Sequence, residues 1–453
     1  MRRTTTRLAV LATAAGLAIA GLDHPAFADT AAPASTPTTS TQEVLHASPA
    51  RVSPPVKVPG SLDGLGFDAC QAPSQATMDT WRTTSPYWGV GVYIGGENRS
   101  CQQPDLTRSW VRTQHDRGWN VVPIWVDLQA PSVGGSTGKC VDHHFTGTTM
   151  SRSNATARTQ GSRAADRAIA RARELGIAKG STLFLDMESY KNDVSACNQP
   201  VQNFQSGWSK RLRSLGWRSG YYSSLSTGIN ALDFVRTQFP GTYVMPDAVW
   251  FAAANGKPNV DGGTYLHDRY WRGQRIHQYR LDVPRTYGGI ELTIDQNAVD
   301  IGGGRKPGRA LGTCGIDLDF PAYRSSQQGQ TSPQVAAAKC LLRRHGLYDG
   351  SLTQRFNASA ADGVGAWQVR VGLTVTERLN AGTWTTLLAA GDTPLAKRGS
   401  ANDRVRYLQR AITAARGKRE PINGLFGAHL AESVAAYQRR VGLPDTGVAD
   451  GST

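Results

Sequence analysis

Short apolar segments alternate with segments of helical periodicity over residues 64–295, and this alternation limits the possible folds more than any other feature of the chain. The apolar segments have the length and composition of buried strands. The eight predicted strands are 64–68, 88–94, 121–126, 182–185, 219–222, 249–252, 275–279 and 291–295. Eight strands alternating with helices over about 240 residues predict a (β/α)8 TIM barrel. We place this α/β domain at residues 61–303.

Two of the intervening segments show clear helix signals. Ser74 is a suitable N-cap for a helix over 74–83. The segment 157–175 is amphipathic, because small and apolar residues recur on one of its faces. Both signals agree with helices that cover the outside of a barrel.

Polar side chains stand at the carboxyl ends of the predicted strands. They are Asp68, Asp127, Asp186, Glu188, Tyr222, Gln278 and Asp295. A single residue of this kind is most simply explained as a cap or turn residue. Because barrels of this class build their active sites at the carboxyl ends of the strands, the whole set predicts one site at that face.

The sequence Asp186-Met187-Glu188 ends the fourth predicted strand. Side chains alternate along a strand, so the two carboxyl groups should share one side and Met187 should take the other. Like charges this close raise the pKa of one group, and such a pair can supply an acid and a base near neutral pH. The motif alone would fit a solvated strand end; its place among the other strand-end residues favours catalysis.

These residues carry a resemblance to a known family. Gly66-Phe67-Asp68, Asp186-Met187-Glu188 and Ile294-Asp295 resemble motifs of the family 25 glycoside hydrolases, which are bacterial and fungal muramidases. Residues 62–302 more closely resemble secreted actinobacterial glycoside-hydrolase-like domains of unknown function, whose pattern includes Tyr93-Ile-Gly-Gly96 and His277-Gln-Tyr279.

The resemblance implies a role for each acidic residue. Glu188 would be the proton donor, Asp186 its partner, and Asp68 and Asp295 the floor of the site. Around them, the expected substrate-binding residues are Asp127, Tyr222, Trp250 and Gln278. The implied function is hydrolysis of β-1,4 bonds in peptidoglycan. The alternative is a catalytically inactive barrel that binds carbohydrate or peptidoglycan, since a fold does not guarantee a reaction. An amidase or peptidase finds little support in the residues.

The amino terminus predicts export. Residues 1–28 have a basic start, an apolar stretch and an Ala26-Phe27-Ala28 cleavage site, so we predict a signal peptide. Residues 29–60, rich in Pro, Ser and Thr, are predicted to be a disordered linker. No other segment has the length and apolarity of a membrane span. The net charge of +15 would suit nucleic acid, but export favours the polyanionic bacterial wall as the partner instead.

Six cysteines in an exported chain predict disulfides, although six allow fifteen pairings. We expect neighbours in sequence to pair: Cys70 with Cys101, Cys140 with Cys197, and Cys314 with Cys340. We expect no cofactor or metal. The run Asp142-His143-His144 could bind a metal, but no second cluster stands at ligand spacing, so a solvated loop is the better interpretation.

An internal repeat follows a predicted linker at 304–313. Trp367-Gln-Val-Arg-Val-Gly-Leu373 recurs as Tyr437-Gln-Arg-Arg-Val-Gly-Leu443, seventy residues later. The two units resemble peptidoglycan-binding repeats, which are small three-helix modules. We place the first at 314–392 and the second, which stops before its last helix, at 393–453. Trp367 and Tyr437 lie on apolar helix faces and are predicted to be core residues. The whole chain is expected to be a monomer.

Overall fold

A closed barrel forms the first part of the folded chain. The computed structural model describes residues 54–132, 140–141, 146–303, 314–392 and 395–453. Within these ranges eight strands follow one another around the barrel in chain order, and the predicted barrel class is confirmed. They are β1 (Leu62–Asp68), β2 (Gly89–Gly95), β3 (Asn120–Val126), β4 (Thr182–Asp186), β5 (Arg218–Ser224), β6 (Ala248–Ala252), β7 (Arg275–Tyr287) and β8 (Ile290–Ile301). The predicted signal peptide and the Asp142-His143-His144 run lie outside the described residues.

The last strand departs from the predicted all-parallel arrangement. Strands β1 to β7 run parallel to one another, whereas β8 is antiparallel to both β7 and β1. Only Gly288 and Gly289 separate β7 from β8, and their φ angles are 57° and 79°. Such two-residue turns join antiparallel strands, because a parallel pair needs a crossover of about a dozen residues or more. The barrel is therefore mixed, with seven parallel strands and a reversed eighth.

Helices cover the outside of the barrel. In the described ranges they are α1 (Gln75–Thr84), α2 (Arg108–Asp116), α3 (Asn154–Glu174), α4 (Ser195–Ser214) and α5 (Asn230–Gln238). Ser74 caps α1 as predicted, since its side chain accepts the N–H of Thr77 at 3.2 Å. Between β6 and β7 the chain forms only one short 3-10 turn, Gly263–Tyr265. The regular alternation of strand and helix therefore ends with β6.

Side chains of the strands pack in two layers because they alternate in direction. The layer inside the barrel includes Val122, Ile124, Phe184, Trp250, Ile276 and Val299. The layer between strands and helices includes Leu183, Leu185, Met187, Val249 and Phe251. This alternation decides which residues at the strand ends can point into the mouth of the barrel.

All three predicted disulfides are present. Cys70 bonds to Cys101, Cys140 to Cys197, and Cys314 to Cys340. The first joins the segment after β1 to the loop after β2, so it fixes two loops at one end of the barrel. The second joins the long β3–α3 connection to α4. The third lies in the carboxyl-terminal part of the chain.

Two helical modules follow the barrel. The first contains α6 (Pro333–Arg344), α7 (Ala358–Arg370) and α8 (Ala381–Ala389); the second contains α9 (Asp403–Arg416) and α10 (Ala428–Val441). The bridge between Ser326 and Leu379 in the first recurs between Ala396 and Ala449 in the second, at the offset of the sequence repeat. Trp367 is buried in the first module, as predicted. None of the helices in the described part of the chain has the length and apolarity to cross a membrane.

The ordered chain begins earlier than predicted. Val56 and Val58 fall in the predicted linker, yet both are buried. Val56 pairs with Ile177, and the N–H of Val58 donates to Oγ of Ser181 at 2.9 Å. The assignment of residues 54–60 to a disordered linker is corrected accordingly, because two apolar side chains gain burial against the barrel.

The second module contacts the barrel through a buried lysine. Nζ of Lys397 donates to the carbonyl oxygens of Arg82 at 2.7 Å and Ser85 at 3.0 Å. It also lies 4.2 Å from the ring centre of Trp88, a cation–π geometry. Two carbonyls and an aromatic face compensate the ammonium group for the loss of water at this interface.

Glycines allow α3 and α4 to pack closely. A Cβ atom on Gly161 would lie 2.0 Å from the carbonyl oxygen of Phe204, and one on Gly207 would lie 2.0 Å from that of Arg158. We predict that Gly161→Ala lowers the free energy of unfolding by about 1–3 kcal/mol, the usual cost of overpacking. Helix propensity alone would favour Ala by about 1 kcal/mol. Urea denaturation of the full chain measures the difference.

Gly382→Ala is the matched control for this prediction. Gly382 lies in α8, and a Cβ atom there would meet its nearest neighbour at an ordinary 3.5 Å. This variant should be as stable as the wild type or slightly more stable. Equal stability of the two variants would contradict the packing argument.

Candidate active site at the barrel mouth

The four acidic residues predicted for the site line one cavity at the mouth of the barrel. The cavity has a volume of about 720 Å³. Asp68, Asp186, Glu188 and Asp295 all contribute to its wall. The expectation that these carboxyl groups share one cleft therefore agrees with the geometry of the site.

The end of β4 presents two carboxyl groups in different surroundings. Asp186 is buried, and its Oδ1 has no hydrogen-bond partner among the described residues. Glu188 lies two residues later and is exposed at the cavity. Met187 between them points into the outer core, as strand alternation predicts. A buried carboxyl group therefore stands beside one that a substrate can reach.

Gln129 holds the main chain around these two residues. Its Oε1 accepts the N–H of Glu188 at 2.8 Å, and its Nε2 donates to the carbonyl oxygen of Asp186 at 3.0 Å. The side chain is fully buried and lines the cavity. Because it satisfies backbone groups on both sides of Met187, Gln129 fixes the direction in which Glu188 leaves the strand.

Asp68 and Asp295 are joined by a network of amide groups. Nδ2 of Asn297 donates to Oδ1 of Asp68 at 2.6 Å. Nε2 of Gln278 donates to Oδ2 of Asp68 at 3.2 Å and to Oδ2 of Asp295 at 2.9 Å. Asp68 and Asp295 are direct partners in the β1–β8 register. Because β8 is reversed, Asp295 reaches the mouth from the middle of the strand and not from the carboxyl end of the strand.

Partial removal from water raises the pKa of all four carboxyl groups, and Glu188 is affected although its side chain is open to the cavity. Desolvation, followed by repulsion from Asp295, raises the pKa of Asp68 to about 8. Desolvation, with the charges of Glu188 and Asp68, raises the pKa of Asp186 well above its usual value. The pKa values of Glu188 and Asp295 are raised as well, again mainly by desolvation. A raised pKa allows a carboxyl group to keep its proton near neutral pH, as a general acid must.

None of the four predicted substrate-binding residues lines the cavity, and two of them make structural contacts away from the acids. Asp127 is buried on the outer side of β3, where it accepts hydrogen bonds from Nη2 of Arg167 at 2.8 Å and Nε1 of Trp125 at 2.6 Å. Trp250 fills the inside of the barrel, and its Nε1 donates to Oδ1 of Asn297 at 2.8 Å. The proposed substrate contacts of Asp127 and Trp250 are corrected: the first supports α3 and the second supports the floor.

The other two predicted substrate-binding residues organise the floor. The hydroxyl of Tyr222 donates to Oε1 of Gln278 at 2.8 Å. Gln278 is buried and uses its amide nitrogen for the two acids. Neither residue lines the cavity, so their contact with substrate stays a prediction; in the structure Gln278 donates to Asp68 and Asp295, and Tyr222 donates to Gln278.

Four residues of the site were missed as functional candidates. They are Tyr93, Arg99, Gln129 and Asn297. Tyr93 lies near the carboxyl end of β2, so the rule applied to the other strands could have found it. Asn297 could have been found only with the direction of β8 known. Arg99 and Gln129 lie on loops, and no spacing in the sequence marks them.

Replacement of Gln278 tests the network that holds the floor. Gln278→Met keeps the volume but leaves Tyr222, Asp68 and Asp295 each without one buried hydrogen bond. Unpaired buried polar groups cost about 1–3 kcal/mol each, so we expect the free energy of unfolding to fall by about 2–5 kcal/mol in urea denaturation. The pKa of Asp68 should also rise, because a donor that stabilised its ionised form is gone, so the pH profile of the free energy of unfolding should shift to higher pH.

Gln296→Met is the control for this variant. Gln296 lies on β8, is buried, and donates to the hydroxyl of Tyr87 on the outer side of the barrel. Its replacement should cost stability without moving the pH profile. If both variants moved the profile equally, the network around Gln278 would have no specific effect on the site.

The barrel and the second module each match a known domain family. Residues 79–299 match the family model of the Rv2525c-like, glycoside hydrolase-like domain. Residues 401–453 match that of a putative peptidoglycan binding domain. The barrel is therefore similar to glycoside hydrolase-like domains and the second module to peptidoglycan-binding domains, and the predicted resemblance is confirmed for these two parts of the chain. No curated protein matches the chain.

Solved structures similar to the chain are distant. An uncharacterized protein of B. stearothermophilus shares 18% identity over 52% of this chain and 95% of its own, with a TM-score of 0.36. The modular autolysin LytC from Streptococcus pneumoniae shares 12% identity over 52% of this chain and 46% of its own, with a TM-score of 0.32. The SleB N-terminal domain shares 22% identity over 15% of this chain and 94% of its own, with a TM-score of 0.15. At these scores we draw no inference from them.

Proposed function

We propose that this chain is an exported glycoside hydrolase that cleaves β-1,4 glycosidic bonds of peptidoglycan, with Glu188 as the general acid. The main support is the pair at the end of β4, where Glu188 is open to the cavity and Asp186 is buried beside it. The glycoside hydrolase-like domain and the peptidoglycan-binding domain support the substrate class.

In the proposed reaction the proton of Glu188 moves to the glycosidic oxygen as the bond from that oxygen to the anomeric carbon breaks. Water then adds its oxygen to the anomeric carbon and returns a proton to the carboxyl pair. Asp186 is the partner carboxyl group, and Asp68 and Asp295 form the floor. Tyr222 and Gln278 are positioning residues, because they act by fixing Asp68 and Asp295.

The proposed partner is the glycan of the cell wall, and the proposed location is outside the cell. Three disulfides fit an oxidising compartment. Residues 331–453 carry 16 Lys and Arg against 9 Asp and Glu, so the modules should be attracted to an anionic wall. Neither nucleic acid nor a membrane has a part in this function, and the chain is proposed to act as a monomer.

The release of new reducing ends from purified peptidoglycan sacculi tests the proposal. The full chain should release them well above the level in buffer and should sediment with the sacculi at low and moderate salt. Sedimentation without release would reject hydrolysis of this substrate and leave the alternative, an inactive wall-binding protein. Sedimentation only at low salt would indicate simple charge attraction, since salt screens exposed charges.

A further inference from the structure

A second concave surface lies on the outer wall of the barrel and shares no lining residue with the cavity at the mouth. It consists of two cavities between α4 and α5, with volumes of about 560 and 600 Å³. Phe239 and Tyr243 line both cavities, so together they form one groove. One cavity lies by the first turns of the two helices and the other by their last turns. We call this surface the α4–α5 groove.

Two exposed aromatic residues lie along the groove. Phe234 and Phe239 are each 53% exposed, and their ring centres are 5.9 Å apart. Single exposed apolar residues are ordinary, but two adjacent phenylalanines in a concave surface mark a place where something binds. Because both side chains are exposed, neither belongs to the core of the barrel domain.

Amide side chains surround the aromatic residues at the end of the groove by the first turns of α4 and α5. They are Asn192, Asn198, Gln199, Gln202 and Asn230. Gln202 is 99% buried, with 1% exposure, and its Nε2 donates to Oδ1 of Asn198 at 3.2 Å. Its Oε1 has no partner among the described residues. A buried acceptor without a donor, in a residue that lines the groove, indicates that a ligand or water supplies one.

At the end of the groove by the last turns of α4 and α5, the two arginine side chains already have contacts within the protein. Arg213 forms an ion pair with Asp247 at 2.8 Å. The guanidinium group of Arg236 lies 4.3 Å from the ring centre of Tyr270 and 4.5 Å from that of Trp271. Arg213 and Arg236 are balanced by Asp247 and by Asp193 in the other cavity, so the groove offers aromatic, guanidinium and amide groups with a formal net charge of zero.

We propose that the α4–α5 groove binds a polysaccharide strand, at a site separate from the mouth of the barrel. The apolar faces of sugar rings would lie against Phe239 and Tyr243. Their hydroxyl or N-acetyl groups would bond to the amides around Gln202, since each amide offers both donors and an acceptor. An apolar helix of another protein fits less well, because it would leave these amides unsatisfied. The proposal does not require hydrolysis at the mouth.

Hydrogen exchange of the full chain, with and without a soluble hexamer of N-acetylglucosamine, tests this site. The hexamer should slow exchange in α4 and α5, near Gln202 and Phe239. The double variant Phe239→Ser and Tyr243→Ala should weaken this protection at least about tenfold in hexamer concentration, the equivalent of about 1.4 kcal/mol. Tyr265→Ala is the matched control, because Tyr265 is 44% exposed but lines neither cavity.

Each outcome separates the groove from the mouth. Protection of α4 and α5 that the double variant removes, with or without protection around Glu188, supports the groove. Protection around Glu188 alone overturns the groove and leaves the proposed hydrolase intact. Protection at neither place overturns the groove for this glycan. Self-association that the double variant abolishes, without protection by the hexamer, would identify a protein interface and also overturn the proposal.

Discussion

Glu188→Gln should lose nearly all release of reducing ends from peptidoglycan while still binding the glycan. The amide keeps the shape of the side chain but has no acidic proton to give to the leaving oxygen. General acid catalysis contributes about 10²–10⁴-fold to such reactions, so turnover should fall by that factor. KM should change little, since the cavity and its other residues stay in place.

The pH dependence of the wild type gives an independent check on the same role. Because Glu188 acts in its protonated form, activity should fall as the pH rises through its pKa. Desolvation at the cavity wall and the charge of Asp295 raise this pKa, so the fall should begin at a higher pH than for an ordinary glutamate. In Glu188→Gln this limb of the profile should be absent from any residual activity.

Glu174→Gln serves as the control for Glu188→Gln. Glu174 lies at the end of α3 and is exposed, with 65% of its side chain accessible. It should leave turnover unchanged. Equal release by the wild type and Glu188→Gln would show that another residue is the acid and that the role implied by the muramidase resemblance is wrong.

The order of the strands could be predicted because each one is a short apolar run between helical segments. The direction of β8 could not be predicted from the same rhythm, because a strand looks alike in either direction. The deciding signal was the pair Gly288-Gly289, which permits positive φ at both positions of a tight turn. That turn gives the direction of β8, and along the strand Asn297 then follows Asp295 on the same face.

The acids that reach the cavity are separated from those that do not by the alternation along each strand. On β4, Phe184 points into the barrel, so Asp186 points the same way. On β3, Val122 and Ile124 point inward, so Asp127 points outward to Arg167. The sequence of β3 is apolar on both faces, and it therefore contains no signal for which face is inside. This is why Asp127 was wrongly included.

Asp68→Asn should make the protein more stable than the wild type at neutral and alkaline pH. Asp68 is buried, and desolvation with the charge of Asp295 raises its pKa from 3.8 to about 8. Between these two values the folded protein keeps a proton that the unfolded chain releases. The free energy of unfolding of the wild type therefore falls as the pH rises from about 4 to about 8, and it is level above that.

Asparagine removes this dependence because it does not ionise. The stability of Asp68→Asn minus that of the wild type should therefore increase from pH 4 to pH 8. A shift of this size corresponds to at most about 6 kcal/mol, at about 1.4 kcal/mol for each pKa unit. Urea denaturation at a series of pH values measures the difference. The variant also replaces a carboxylate oxygen that accepts from Gln278 with an amide nitrogen that cannot accept. The lost hydrogen bond offsets part of the gain in stability.

Asp349→Asn is the control for Asp68→Asn, because it removes a carboxylate at an exposed position of the first module. Its stability should follow that of the wild type at every pH. If Asp68→Asn also followed the wild type, Asp68 would ionise in the folded protein as it does in water. The hydrogen bonds from Asn297 and Gln278 would then outweigh burial, and Asp68 would place a full negative charge on the floor of the site at neutral pH. A cavity charged in that way would favour a cationic centre in the substrate, so this measurement also bears on how the site treats the developing positive charge of a glycosyl transition state.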